Sequence, residues 1–180
     1  MSTMITASVA PRRLHPDKFR DRLRTVSGEP RAQVALKSLD TLWFNTGTLC
    51  NLTCGHCYIE SSPRNDRLVY LSVADVAQYL DEIAALRLGT GLIGFTGGEP
   101  FLNPHLAEIL DLTLRRGFRV LVLTNAMKPM HKRKLALQRL RERFGDRLHL
   151  RVSLDHYDPE VHEAERGRHS SRLLDLRWRR

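Results

Sequence analysis

Four times between residues 41 and 167 a short β-forming run gives way to an amphipathic helical stretch, and this alternation limits the possible folds. The runs are "TLWFNTG" (41–47), "GLIGFTGGEP" (91–100), "FRVLVLTN" (118–125) and "RLHLRVSLD" (147–155). Helical stretches follow at 71–87, 103–117 and 129–145, and a fourth begins at 159. Strand then helix, repeated, specifies parallel strands joined by helical crossovers. The strands are short and mostly apolar, as strands buried on both faces are. The fold class is therefore α/β. Four units cannot close an eight-stranded barrel, so the expectation is an open arc or part of a (β/α) barrel, with a doubly wound open sheet as the competing layout.

Local signals support the helices. Ser72 can cap the first, Asp75 stands three residues later, and Val73, Val76, Leu80, Ile83 and Leu86 repeat at helical spacing. For the second, Asn103 is the expected cap, Pro104 the first helical residue and Gly117 the stop. The third is basic and ends at Gly145. Residues 1–38 read as a basic arm with a short helix at 16–25, residues 39–167 as the core, and residues 168–180 as an Arg-rich tail. In that tail Leu173, Leu174, Leu176 and Trp178 can extend the fourth helix as an apolar face.

A chain of 180 residues is long enough for one domain with a real core. It has no apolar run of the length a membrane helix needs and no apolar block of a secretory signal, so the cytoplasm is the expected location. The net charge of +9 is spread over the arm, the stretch 128–151 and the tail. No basic run is interleaved with aromatics, so the charge reads as general basicity rather than a nucleic-acid surface.

All three cysteines, Cys50, Cys54 and Cys57, fall in "CNLTCGHCY", directly after the first strand. An odd number so closely spaced suits a metal site better than a disulfide. Structural zinc wants four ligands, and His56, the only nearby candidate, adjoins Cys57 and converges poorly with it. A cubane iron–sulfur cluster on three thiolates instead leaves one iron open. The other polar features, "TGGEP", "TN" and "SLD", also end strands, where parallel β/α folds build their sites.

The cysteine loop, with "TGGEP" about forty residues on, resembles the radical S-adenosylmethionine (radical SAM) superfamily. The resemblance implies a partial (β/α)6 barrel and a [4Fe–4S] cluster on Cys50, Cys54 and Cys57, whose open iron binds S-adenosylmethionine. It also implies oxidoreductase-type chemistry: one electron, from a reductant such as flavodoxin or ferredoxin, cleaves the sulfonium to give a 5′-deoxyadenosyl radical that abstracts hydrogen from a substrate. His56 stands where the family usually has an aromatic residue whose backbone nears the adenine. Gly97, Gly98, Glu99 and Pro100 match the motif that holds the methionine amino group, with the glycines letting carbonyls approach and Glu99 adding negative charge. Thr124, Asn125 and Ser153 occupy rim positions that reach ribose, carboxylate or substrate in similar proteins, although Asn125 and Asp155 also suit local turn caps. Arg166 reads as a surface residue, with a cofactor carboxylate as its alternative partner. No catalytic residue is assigned beyond the cluster.

Where the family has six strand–helix units, this chain supplies four. One reading is an enzyme with a shortened barrel, or one completed by a partner chain, acting on a peptide, nucleotide or RNA. The +9 charge leans toward an anionic substrate. The other reading is a truncated, non-catalytic iron–sulfur or zinc binding module. The scattered histidines carry no assigned chemistry, and Asp81–Glu82 and Glu163–Glu165 read as solvated helix faces.

Overall fold

The four strands pair in the order of the chain. A computed structural model describes residues 15–35 and 37–173. Its strands β1 (Thr41–Asn45), β2 (Leu92–Thr96), β3 (Arg119–Thr124) and β4 (Leu148–Val152) form one parallel sheet in the order β1-β2-β3-β4. Among the described residues β1 and β4 pair on one side only, which makes the sheet an open arc. The crossovers are α1 (Val73–Leu86), α2 (Leu106–Arg115), and α3 (Lys128–His131) with α4 (Lys134–Phe144), and α5 (Pro159–Arg166) follows β4.

One sheet face carries the core. Phe44, Ile93, Phe95, Val120, Val122 and Leu148 point toward Val76, Leu80, Ile109, Leu110 and Leu114, all buried. In-register Phe44 and Phe95 stack with ring centroids 5.7 Å apart. The expectation of strands buried on both faces fails here. Trp43 is 44% exposed, and His149 and Arg151 are exposed on the face opposite the helices. Helices cover one side of the arc, and alternation sends every second side chain to the other.

The Ser72 cap is present: its hydroxyl accepts from the Asp75 N–H, and the Asp75 carboxylate accepts from the Ser72 N–H, at 3.1 and 3.0 Å. Leu86, expected in the core, is 60% exposed, because α1 turns it outward in its last turn. Asn103 does not cap α2, which begins at Leu106 after a 3₁₀ turn at Pro100–Leu102. Its amide instead donates to the carbonyls of Thr46 (3.2 Å) and Leu71 (2.9 Å), tying the end of β1 to the approach of α1. The basic helix expected over 129–145 is divided at Lys132–Arg133, between α3, which buries Pro129 and Met130, and α4, which buries Leu140.

The residues before Ser38 form a unit of their own. The helix expected at 16–25 is a set of turns with an antiparallel bridge from Arg24 to Pro30. The Asp21 carboxylate accepts from the N–H groups of Leu23 and Arg24, a local bond that competes with helix. At the other end α5 stops at Arg166, with Gly167 at positive φ, and a 3₁₀ turn spans Ser170–Leu173. Leu174, Leu176 and Trp178 lie outside the described residues. No described helix is long and apolar enough to cross a membrane.

Candidate cluster site at the sheet rim

The cysteine loop continues β1, and "TGGEP" continues β2, so parallel pairing brings them together past the strand ends. Gly98 N–H donates to the Gly47 carbonyl (2.9 Å) and Glu99 N–H to the Leu49 carbonyl (3.0 Å). The glycines are needed for this approach. A Cβ on Gly98 would stand 2.2 Å from the Leu49 carbonyl oxygen. One on Gly97, at φ +132°, would stand 2.6 Å from the Gly47 oxygen. Their missing side chains thus accommodate the backbone leading into the cysteines, a use the sequence did not reveal.

Glu99 is 2% exposed. One carboxylate oxygen accepts from the Thr124 hydroxyl (2.8 Å) and Phe101 N–H (3.2 Å), the other from Asn125 N–H (2.8 Å). Burial pushes its carboxyl above the ordinary glutamate value, against the pull of those donors. The side chains of Glu99 and Thr124 are thus spent on each other, joining the ends of β2 and β3. Glu99→Gln replaces one acceptor oxygen with a donor facing another donor and is expected to cost about 2 kcal/mol of stability, measured by urea unfolding. Glu99→Asp is expected to cost less if a carboxylate is what the site requires.

Cys50 is buried, while Cys54 and Cys57 are partly exposed; all three are free thiols. Burial pushes the Cys50 thiol up to about 11, with the negative charge of Glu99 adding to the effect. A metal binding there must displace its proton. Burial also raises Cys54, opposed by the positive charge of Arg166. The loop aims donors at its sulfurs: Leu52 N–H lies 3.4 Å from Cys50 Sγ and Ser61 N–H 3.3 Å from Cys57 Sγ. Asn125 Nδ2 is 3.8 Å from Cys50 Sγ. Ser61 Oγ is buried without a partner. Among the described residues no three Cys, His, Asp or Glu side chains converge to hold one ion. Three soft thiolate donors in one loop suit an iron–sulfur cluster, with one iron left for a further ligand.

The remaining candidates divide. Asn125 is buried, its amide spanning Cys50 and Asn51, and Pro100 is buried at the start of the 3₁₀ turn. Ser153 is half-buried at the rim, its N–H on the Thr124 carbonyl. The His56 ring turns toward carboxylates, 3.1 Å from Glu165 and 3.7 Å from Asp155. Glu165 is exposed, as expected of a solvated helix face, and its carboxylate meets the ring there. Arg166 is no free surface arginine: only 13% of its side chain is exposed, and it bonds Asp155 at 2.5 and 3.0 Å. Gly55 N–H also reaches the Glu165 carbonyl, so the loop and α5 are held together. Local patterns could not reveal this, since the partners are about a hundred residues apart.

Hydrogen bonding to Arg166 holds the Asp155 carboxyl below its ordinary value. The stability this provides is complete above about pH 3.9, the unfolded aspartate value, and is lost as pH falls through the lower folded value. Asp155→Asn is expected to cost about 1 kcal/mol at neutral pH. Its deficit relative to wild type should shrink as pH falls below about 3.9, followed by thermal unfolding across a pH series.

An open arc of parallel strands with a three-cysteine loop on its carboxyl rim defines a partial β/α barrel of metal-cluster type. The family model of the Radical SAM superfamily matches residues 44–175, and the chain belongs to that superfamily. The bacteriocin subtilosin biosynthesis protein AlbA of Bacillus subtilis is 36% identical over 124 residues, covering 68% of this chain and 25% of AlbA. The mycofactocin maturase MftC of Mycolicibacterium smegmatis is 31% identical over 123 residues, covering 67% of this chain and 29% of MftC. The structure of Streptococcus suis SuiB bound to S-adenosylmethionine superposes with a TM-score of 0.62 at 20% identity, over 76% of this chain and 30% of SuiB. SuiB has also been solved with its precursor peptide SuiA. The chain thus spans a quarter to a third of these relatives.

Proposed function

We propose that this chain is the cofactor-binding part of a radical SAM enzyme that modifies a peptide. The observation that carries the reading is the interlock of the cysteine loop with Gly97–Pro100 on one strand rim. Cys50, Cys54 and Cys57 would hold a [4Fe–4S] cluster, and the backbone of Gly97–Pro100 would meet the amino end of S-adenosylmethionine. When bound, the cluster supplies one electron for cleavage of the sulfonium, giving a 5′-deoxyadenosyl radical that takes a hydrogen atom from the substrate. Glu99 and Thr124 act by holding the turn, because their side chains bond each other. His56 and Ser153 would meet the nucleoside end, and Asn125 would orient the loop beside Cys50, which its amide approaches at 3.8 Å. The open sheet face, with Trp43, His149 and Arg151, offers room for a substrate. A peptide is favoured over a nucleotide or RNA by the relatedness to AlbA, a bacteriocin biosynthesis protein.

The test is anaerobic reconstitution with iron and sulfide, reduction, addition of S-adenosylmethionine and measurement of 5′-deoxyadenosine. Cluster and product together are the expected result. Cluster without product would reduce the proposal to a binding module that needs the rest of a barrel, because β4 pairs on one side only among the described residues. Stoichiometric zinc without a cluster would overturn it.

A further inference from the structure

We propose that a basic cleft beside the cysteine loop is the docking site of an acidic one-electron donor protein of the flavin or ferredoxin class. The proposal rests on the cluster reading above. The cleft, about 560 Å³, lies between the 3₁₀ turn after β2 and the break between α3 and α4. Lys128, Lys132 and Arg133 line it together with Phe101, Leu102 and Asn51, and no acidic residue does. Among the described residues none of these three cations forms an ion pair. Exposed His131 and Lys134 add to the same turn. Three uncompensated cations around a partly apolar floor attract and orient an acidic surface.

Position selects an electron donor among acidic partners. Reduction moves one electron from the donor to the cluster, so the donor is oxidised by one electron as the cluster is reduced. All the cysteines of this sequence are in the loop, so these residues provide no relay cluster, and an electron delivered through them enters from their surface. Tunnelling favours a short route through packed, hydrogen-bonded atoms. Such a route runs from the buried Cys50 Sγ to Asn125 Nδ2 (3.8 Å), then to Asn51 Oδ1 (3.1 Å), and Asn51 is a wall of the cleft. The other walls come from segments leading into helices, leaving the open sheet face free for substrate.

The experiment compares wild type with the triple variant Lys128→Glu, Lys132→Glu, Arg133→Glu, each reconstituted anaerobically. Cluster bleaching is followed by stopped flow with flavodoxin hydroquinone, and separately with photoreduced deazariboflavin, a small donor that needs no docking face. At low salt the variant is expected to be reduced by flavodoxin about tenfold or more slowly, with the deazariboflavin rate unchanged. The difference should collapse at about 1 M salt, where charges are screened beyond about 3 Å. Flavodoxin affinity for the protein, measured calorimetrically at low salt, should fall in parallel. Should charge reversal alter the deazariboflavin rate, Lys132→Ala with Arg133→Ala replaces it, with the same selective slowing expected. Equal flavodoxin rates in wild type and variant overturn the site, and do so whether or not the variant loses affinity for an acidic peptide or RNA. A wild-type protein that takes up no cluster overturns the proposed function itself, and the docking site with it.

Discussion

Cys54→Ala is expected to reduce cluster content and 5′-deoxyadenosine to background together, while the fold survives. Two thiolates cannot hold three corners of a cubane, and no described histidine or carboxylate converges with the remaining sulfurs to replace the third. The fold should persist because Cys54 is only partly buried and lies in a loop outside the apolar core. Unfolding free energy of the cluster-free proteins should agree within about 0.5 kcal/mol. Iron and sulfide analysis, with 5′-deoxyadenosine measured on the same samples, checks it. A variant that kept a full complement of iron would show that the three thiols are not the ligands.

Gly98→Ala is the second large effect, and its cause is purely steric. The new methyl would meet the Leu49 carbonyl oxygen at 2.2 Å, its carbon at 2.6 Å and the Thr48 oxygen at 2.8 Å. All three atoms are backbone, so no side-chain rotation relieves the overlap. The turn and the cysteine loop must separate, losing the bonds from Gly98 N–H to Gly47 and from Glu99 N–H to Leu49. The expected cost is about 3 kcal/mol, from overpacking and two broken buried bonds. Cluster uptake should fall as well, even where the variant remains folded, because the loop loses its support. Gly55→Ala is the matched control within the cysteine loop. Its added methyl meets nothing within 4 Å, and stability should change by no more than about 0.5 kcal/mol. Urea unfolding and iron analysis of both variants decide the matter. Equal behaviour would mean that the interlock does not support the loop.

The features that the amino-acid order alone specifies are of two kinds. Alternation of apolar runs with 3.6-residue periodicity identified the strands, the crossovers and the Ser72 cap, because these follow from neighbours within one turn or one pleat. Spacing alone brought out the three-cysteine loop, since ligands on one short segment are close whatever the rest of the chain does. The readings that failed were those in which a distant partner competes with a local rule. Asn103 matched a helix cap but spends its amide on Thr46 and Leu71. Arg166 matched a surface residue, yet its guanidinium is held by Asp155 and only 13% of its side chain is exposed. Residues 16–25 looked helical, but the Asp21 carboxylate holds them in turns.

The sequence by itself determined that this chain makes parallel β/α units with a thiolate loop at a strand end, because hydrophobic period and ligand spacing are local properties. Only the tertiary structure decided how that loop is held. Parallel register carries the backbone of residues 47–49 onto Gly97–Glu99, and a buried carboxylate then ties the end of β2 to that of β3. It also decided that Arg166 faces Asp155 and that Lys128, Lys132 and Arg133 gather beside Asn51. Such pairings bring together residues far apart in the chain, and their geometry exists only once the sheet has brought the strand ends into line.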